Sequence, residues 1–409
     1  TAARNCFLPG LPGTPPSNKR TRTMLIHKLP AELLEYQKLA KDFAAREIAR
    51  VSAKHDHSGE FQIDLIKSAW EAGLLNMSVP EDCGGLGLSC LEGAVIAEEL
   101  GFGDSGISGS IEASDVAQRF VIEVGTPEQK QEFLAPLMES PSLAGYAMDT
   151  GIRAGRVFFR RDGDDFFLNG KHNAIANGGV AEWYLIKAYE DRRELAASGD
   201  GSEQELVGGT YFLVRSGEDG LNFDHRLETL GKRAHVISSA RFEEVMVPAG
   251  AVLLGTGQAA RIYNQSLVKT YPIIAAGLVG VARAAMEHAL KYSKERQTFG
   301  LPISSFQGIS FMLADMAKDI EAARLLVYQA AQLADQGQSC ISEAVCAKAF
   351  AQDMAMRVTT DAVQVFGGYG FSKEYPVEKL MRDAKVGQLT DGTSESLKVN
   401  LGRQMVTSV

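Results

Sequence analysis

Cysteine is scarce in this chain: Cys6, Cys83, Cys90, Cys340 and Cys346 are 5 among 409 residues, an odd number with no Cys-x-x-Cys pair. That argues against a disulfide framework and against the common zinc arrangements, and it fits a reducing compartment. Positive charge is also in deficit, with 42 Lys and Arg against 51 Asp and Glu. A net charge of -9 gives a phosphate backbone little to bind, so nucleic acid is not an expected partner. Long apolar runs are missing as well. The most apolar stretch, residues 273–282, stops at Arg283, and no membrane span is expected. There is no Gly-x-Gly-x-x-Gly fingerprint. The nearest approach, Pro-Glu-Asp-Cys-Gly-Gly-Leu-Gly-Leu at residues 80–88, follows a helical pattern and precedes no βαβ unit, so it reads as a helix connector. His55 and His57 flank Asp56 in what reads as a loop of exposed polar residues, and no metal site is expected.

The chain does have enough apolar material, 45% of its residues, for more than one core. Residues 1–23 stand apart: rich in Pro and Gly, they carry Arg4, Lys19, Arg20 and Arg22 and no acid, a composition expected to be disordered. They are either the remnant of an organellar targeting segment or sequence upstream of a start at Met24. Residues 24–138 read as an α-helical domain, with Leu33, Leu34, Leu39, Phe43 and Ile48 and, after a break at Gly59, Ile63, Ile66, Trp70 and Leu74 at helical steps. Further helices are expected over 91–100 and around 114–123.

Residues 139–258 change period. Short segments rich in β-branched and aromatic residues (156–159, 165–168, 183–188, 210–214 and 240–247), separated by Gly and Asp turns, predict a small antiparallel β domain with a polar insert over 190–209. Residues 259–409 return to helices long enough for a four-helix bundle. The small residues Ala275, Ala276, Gly277, Gly280, Ala282, Ala284 and Ala285 would let one of these helices approach its neighbours closely. Apolar surface on several helix faces points to a homo-oligomer. The fold class is α+β, mostly α.

Three stretches carry candidate chemistry. Lys-Glu-Arg-Gln-Thr-Phe-Gly at 294–300, followed by Phe306-Gln307, offers a guanidinium fork suited to phosphate and a Gly placed to end a helix; an exposed Arg satisfying a helix dipole is the alternative. Gln-Val-Phe-Gly-Gly at 364–368 has paired glycines that let a ligand touch backbone, although such pairs more often just end a helix. Asp-Gly-Thr-Ser-Glu at 391–395 places a carboxylate in a Gly/Thr/Ser loop. Asp391 is either a base or the N-cap of the last helix.

Together with Arg382-Asp383, these stretches resemble the signature of the acyl-CoA dehydrogenase family of flavoproteins, medium- and short-chain-like, over about residues 24–405. The resemblance implies an N-terminal helical domain, a middle β domain and a C-terminal four-helix bundle, FAD as cofactor, and a homotetramer. It implies that Arg296, Thr298, Phe299 and Gln307 contact the flavin dinucleotide. Gln364, Gly367 and Gly368 would lie against the FAD of a neighbouring subunit, and Thr393 and Glu395 would complete the cofactor set. Asp391 stands where the family has a Glu that removes the α-proton. Gly392, Thr270 and Tyr271 fall at substrate-binding positions: Thr270 where some relatives carry their base, Tyr271 where an Arg usually contacts the CoA ester.

The middle domain departs from the pattern. The Gly/Ser loop near Gly151 is shortened, and Ala174 and Ala176 replace the Trp and the Thr or Ser that pack on the flavin ring. The implied activity is FAD-dependent α,β-dehydrogenation of an acyl-CoA or acyl-carrier thioester, with Asp391 taking the α-proton, hydride passing to the flavin and electrons leaving to an electron-transfer flavoprotein. The alternatives are non-redox α-proton chemistry of an isomerase or lyase on the same fold, or a catalytically silent partner subunit. The expected location is cytoplasmic in a bacterium and the mitochondrial matrix in a eukaryote.

Overall fold

The structure is a computed structural model and describes residues 29–148, 155–191 and 209–407. The expectations for residues 1–23, for the loop around Gly151 and for most of the polar insert therefore fall outside the described residues.

Helix α1 (Ala31–Phe43) runs through a π turn at Ala44–Ile48 into α2 (Ala49–Ser58), which ends where Gly59 turns left-handed at φ 70°. His55 and Asp56 thus lie on a helix, not in a loop. No helix breaker precedes Gly59, His55 is buried, and Asp56 is held by Arg382 at 2.7 Å. Helix α3 (Ile63–Glu71) follows. Ser89 and Glu92 form a reciprocal capping box that starts α4 (Cys90–Gly103), and the Asp104 carboxylate accepts from the Gly106 and Ile107 amides to start α5 (Ser105–Val124). Both helices are longer than their periodicity suggests, because small residues extend them past their apolar stripes. Short helices α6 (Pro127–Phe133) and α7 (Pro136–Glu139) lead to the sheet.

The middle sheet contains β1 (Ala144–Ala147), β2 (Gly155–Asp162), β3 (Asp165–Ala176), β4 (Trp183–Glu190), β5 (Thr210–Arg215), β6 (Leu221–Arg226) and β7 (Ile237–Val247). Its order is β1-β4-β2-β3-β7-β6, with β5 beside β4. The pairings are antiparallel except that β4 runs parallel to β1 and to β2. Phe159, Phe166 and Phe212 meet edge-on or tilted at 5.2–5.7 Å on one face and seed its core.

The third region is α8 (Ala259–Glu295), a hairpin of β8 (Gln297–Thr298) and β9 (Leu301–Pro302), then α9 (Gln307–Asp335), α10 (Ile341–Phe366), α11 (Val377–Gly387) and α12 (Ser394–Thr407). Helix α8 is long and apolar enough to cross a membrane by composition, yet 72% of its apolar window is buried inside the protein, which makes it a core helix. Its small residues work as their pattern suggests. A Cβ on Gly101 of α4 would overlap the Gly277 carbonyl of α8, and one on Gly280 would overlap the Glu98 carbonyl. Such contact draws two backbones together and welds the first helical region to the third. A buried cluster reinforces the joint: Glu98 is met by Arg283 at 2.6 Å and Arg324 at 2.7 Å. Gly300 does not end α8, which stops at Glu295. Phe299 (φ 53°) and Gly300 (φ 78°) instead form the two-residue turn of the β8–β9 hairpin, where both positions need a positive φ.

Candidate active site

Asp391 lies in the loop between α11 and α12 with φ 55°, and Gly392 follows at φ 99°. A left-handed Asp is uncommon, and two such residues in succession swing the carboxylate away from α12. Asp391 is not the cap of that helix. Thr393 takes that role, its hydroxyl accepting from the Ser396 amide at 3.2 Å. Freed from capping, the half-buried Asp391 carboxylate accepts a hydrogen bond from the Tyr146 hydroxyl of β1. Burial pushes its pKa up to about 6, while the Lys348 ammonium and the Tyr146 bond pull the other way.

Lys348 sits fully buried on α10. Its Nζ donates to the Gly387 carbonyl at 3.2 Å, the Thr390 carbonyl at 3.3 Å and Gln352 Oε1, which closes the loop that carries Asp391. Burial lowers its own pKa to about 8. The loop is fixed from its other end by Gln352 Nε2, which donates to Ser394 Oγ at 2.9 Å.

A narrow cavity of about 10 Å³ opens beside Asp391, lined by Glu112, Tyr146, Met148, Lys232, His235 and Thr390 among others. Helix α5 supplies Glu112, and the segment before β7 supplies Lys232 and His235. Gly106 and Gly109 of α5 let that segment dock: a Cβ on Gly106 would stand 3.1 Å from the Lys232 carbonyl carbon, and one on Gly109 3.1 Å from the His235 ring. From the other side, Asp383 of α11 accepts from the Lys232 amide at 2.5 Å and from Lys379 Nζ at 2.6 Å. Arg382 reaches the Leu230 carbonyl at 3.0 Å. The Arg382-Asp383 pair therefore clamps one wall of the cavity.

The structure brings Asp391, Gly392, Thr393 and Tyr271 together. Tyr271 is buried, with its hydroxyl 2.5 Å from that of Tyr263 and 3.1 Å from where a Gly392 Cβ would stand. Thr270 is buried beside Tyr271 on α8, and Glu395 is exposed on the first turn of α12. The remaining residues expected to contact cofactor gather elsewhere. Arg296, Thr298, Phe299 and Gln307 are exposed around the β8–β9 hairpin, and the Arg296 guanidinium lies 5.7 Å from the Tyr369 ring, next to exposed Gly367 and Gly368 at the end of α10. Gln364 is exposed one turn earlier. Gln352, bonded to the Asp391 loop, and Gly367 are 15 residues apart along α10, roughly 22 Å at the helical rise. One subunit thus holds two separate clusters.

Sequence reasoning missed Tyr146, Lys348, Glu112, Lys232 and His235. Two had a visible signal: Glu112 is a charge in the small-residue run Ser-Gly-Ile-Ser-Gly-Ser-Ile-Glu-Ala, and Lys348 interrupts Ala-Val-Cys-Ala-Lys-Ala-Phe-Ala.

Residues 30–140 match the family described as acyl-CoA dehydrogenase, N-terminal domain, and residues 260–406 match acyl-CoA dehydrogenase, C-terminal domain. The chain belongs to the acyl-CoA dehydrogenase family. It is 33% identical over 387 residues to a probable acyl-CoA dehydrogenase, fadE25, of Mycobacterium leprae, covering 93% of this chain and 97% of that one. Among solved structures it is similar to butyryl-CoA dehydrogenase from Megasphaera elsdenii (33% identity, TM-score 0.85, 93% and 100% of the two chains). It is likewise similar to a chain described with the electron transferring flavoprotein of Acidaminococcus fermentans (34% identity, TM-score 0.85, 93% and 99%).

Acyl-CoA dehydrogenases are FAD-binding oxidoreductases that act on CH–CH donors. The outer cluster fits such a dinucleotide. Arg296 has no ion pair among the described residues, a Cβ on Gly367 or Gly368 would meet nothing within 4 Å, and the neighbouring Phe299 and Phe371 are 92% and 80% exposed. Ala174 and Ala176, expected from the resemblance at the flavin ring, are buried in β3 and carry neither an aromatic face nor a hydroxyl.

Proposed function

We propose that this protein carries out α,β-dehydrogenation of an acyl thioester, with Asp391 as the base that removes the α-proton. The observation that carries the reading is the state of Asp391. It is a carboxylate released from helix capping, raised to about 6 by burial and facing a cavity between the first and third helical regions. A base near the operating pH is ionised when needed and still avid for a proton. The Tyr146 hydroxyl and the nearby Lys348 charge hold the carboxylate in its ionised form before transfer. The loop bonds from Lys348 and Gln352 fix its position. FAD, held by Arg296 and the glycines at the end of α10, would supply the acceptor for the β-hydride.

The separation of the two clusters along α10 supports a homotetramer in which one subunit's outer cluster serves a neighbour's flavin. An electron-transfer flavoprotein is the proposed acceptor of the electrons. The buried Ala174 and Ala176 favour one second reading, non-redox α-proton chemistry such as isomerisation. One experiment separates the two. Acyl-CoA thioesters are added anaerobically to the FAD-loaded protein and the flavin absorbance followed. Bleaching that disappears in Asp391→Asn supports dehydrogenation. Product formed without bleaching supports isomerisation, and bleaching at the wild-type rate in Asp391→Asn removes Asp391 from the mechanism.

A further inference from the structure

One buried side chain at the cavity, His235, has a ring nitrogen that the described residues leave unfilled, and Glu112 and Lys232 beside it share one long contact. Glu112 has four lone-pair directions on its carboxylate, yet its ion-pair partner among the described residues is Lys232 Nζ at 3.8 Å, too long for a full hydrogen bond. Lys232 is itself buried, with that same ion pair. His235 is 5% exposed, and its Nε2 has no partner among the described residues. Buried groups of this kind are normally satisfied, and each one left open costs stability. Nearby Asp115 shows the contrast. Arg119 holds it at 2.8 Å and the Ser78 hydroxyl at 2.5 Å, so it has little left to offer a ligand.

Glu112 also lines a second, mostly apolar cavity of about 20 Å³ with Met77, Ala97, Leu100, Ile111 and Ile273. It thus stands between a polar chamber next to Asp391 and an apolar one beyond. Gly277 makes room for it, since a Cβ there would come 2.9 Å from Glu112 Oε2. Spaces of about 10 and 20 Å³ admit a group about the size of a water or a hydroxyl, and leave no room for a long chain.

We infer that Glu112, Lys232 and His235 form a hydroxyl-recognition subsite, and that the thioester taken by this protein carries a short acyl chain with a hydroxyl group beyond the two reacting carbons. The inference rests on the proposed dehydrogenation at Asp391 and names its substrate class. Charge selects a neutral ligand: the carboxylates Glu112 and Asp391 are balanced by the ammonium groups of Lys232 and Lys348, and an added ion would break that balance in a poorly solvated space. Chemistry selects a hydroxyl. One oxygen both donates and accepts, so it bridges an acceptor-only carboxylate and a donor-only ammonium 3.8 Å apart. The hydroxyl is not consumed: the α-proton goes to Asp391, the β-hydride to the flavin, and the γ or later C–O bond stays intact.

The test uses the wild-type protein loaded with reduced FAD under anaerobic conditions, which cannot accept a hydride, so that the thioester survives and the charge of the site is kept. It is titrated calorimetrically with butyryl-CoA, 4-hydroxybutyryl-CoA, 4-aminobutyryl-CoA and succinyl-CoA. The hydroxyacyl thioester is expected to bind at least about tenfold tighter than butyryl-CoA, as a polar site left unpaired by the apolar analogue requires. Glu112→Leu should abolish that preference, and Glu112→Gln, which keeps the shape, should reduce it. Equal binding of hydroxybutyryl and butyryl thioesters overturns the subsite, as does preference for the amino or the carboxyl analogue. Flavin bleaching by butyryl-CoA as fast as by 4-hydroxybutyryl-CoA in the wild type would also overturn the subsite while leaving dehydrogenation standing. A calorimetric preference with no bleaching by any thioester would support the subsite and instead overturn the redox reading.

Discussion

If Asp391 is the base proposed above, Lys348 is the group that keeps it ionised, and replacing Lys348 by methionine, of similar length and no charge, measures how much. Burial alone lifts the Asp391 carboxyl, and Lys348 heads the influences opposing that rise, leaving the value at about 6. An opposite charge within about 4–6 Å moves a carboxyl by about 1–3 units, so removing it should carry Asp391 to about 7 or beyond. At pH 7 the wild-type base is then roughly nine-tenths ionised, and that of Lys348→Met half or less. The expected result is a fall in kcat/KM at pH 7 of about two- to tenfold, with recovery toward pH 9 as the variant's carboxyl ionises. The assay is kcat/KM against pH from 5 to 10 with dye as electron acceptor. The acidic limb should sit near 6 in the wild type and shift alkaline in the variant. Lys348 also ties down the Gly387 and Thr390 carbonyls, so melting is recorded in parallel. A variant that melts lower but titrates at the wild-type pH would refute the electrostatic argument and leave Lys348 a purely structural role.

Three other substitutions probe the surrounding framework. Tyr146→Phe removes the hydrogen bond that favours the ionised Asp391, so the acidic limb of kcat/KM should again move to higher pH; an unmoved limb would mean that the bond is absent in solution. Gly101→Ala places a Cβ against the Gly277 carbonyl and should destabilise by about 1–3 kcal/mol, read as a lowered midpoint in urea with an unchanged slope. Asp383→Ala leaves Lys379 with Asp104, at 2.9 Å, as its one ion-pair partner among the described residues, and frees the Lys232 amide. Breaking a buried pair of this kind costs about 3–5 kcal/mol, and amide exchange across residues 229–235 should accelerate ahead of the rest of the chain.

The framework was readable where period and small residues fix geometry locally. The apolar steps of α1 and α3, the β-branched runs of β3 to β5 and the crowd of Ala and Gly on α8 each name a single kind of structure, and the structure has it. The errors came where local text is ambiguous and a distant residue decides. His55-Asp56-His57 has loop-like polarity, but Arg382, 326 residues away, holds Asp56 on a helix. Phe299-Gly300 looks like a helix end, but antiparallel pairing of Thr298 with Leu301 makes it a hairpin turn. The parallel alignment of β4 with β1 and β2 has no local signature at all, because it depends on how separate segments dock.

The site divides along the same line. Asp391 was legible because Asp-Gly-Thr-Ser is contiguous, yet the charge state of its carboxyl is set by residues that sequence separates widely: Tyr146 from the sheet, Lys348 from α10 and Glu112 from α5. None carries a motif, since a buried Lys or Glu gains its role from the charge facing it and not from its neighbours in the chain. The backbone at this position also suits an Asp. The left-handed backbone at Asp391 is a conformation that Asp tolerates better than most residues, and at Gly392, with φ 99°, a Cβ would be strained and would stand 2.9 Å from Leu397 Cδ2 and 3.1 Å from the Tyr271 hydroxyl. The two positive φ values in succession turn the Asp391 carboxylate off the axis of α12, and Asp391 itself lines the cavity.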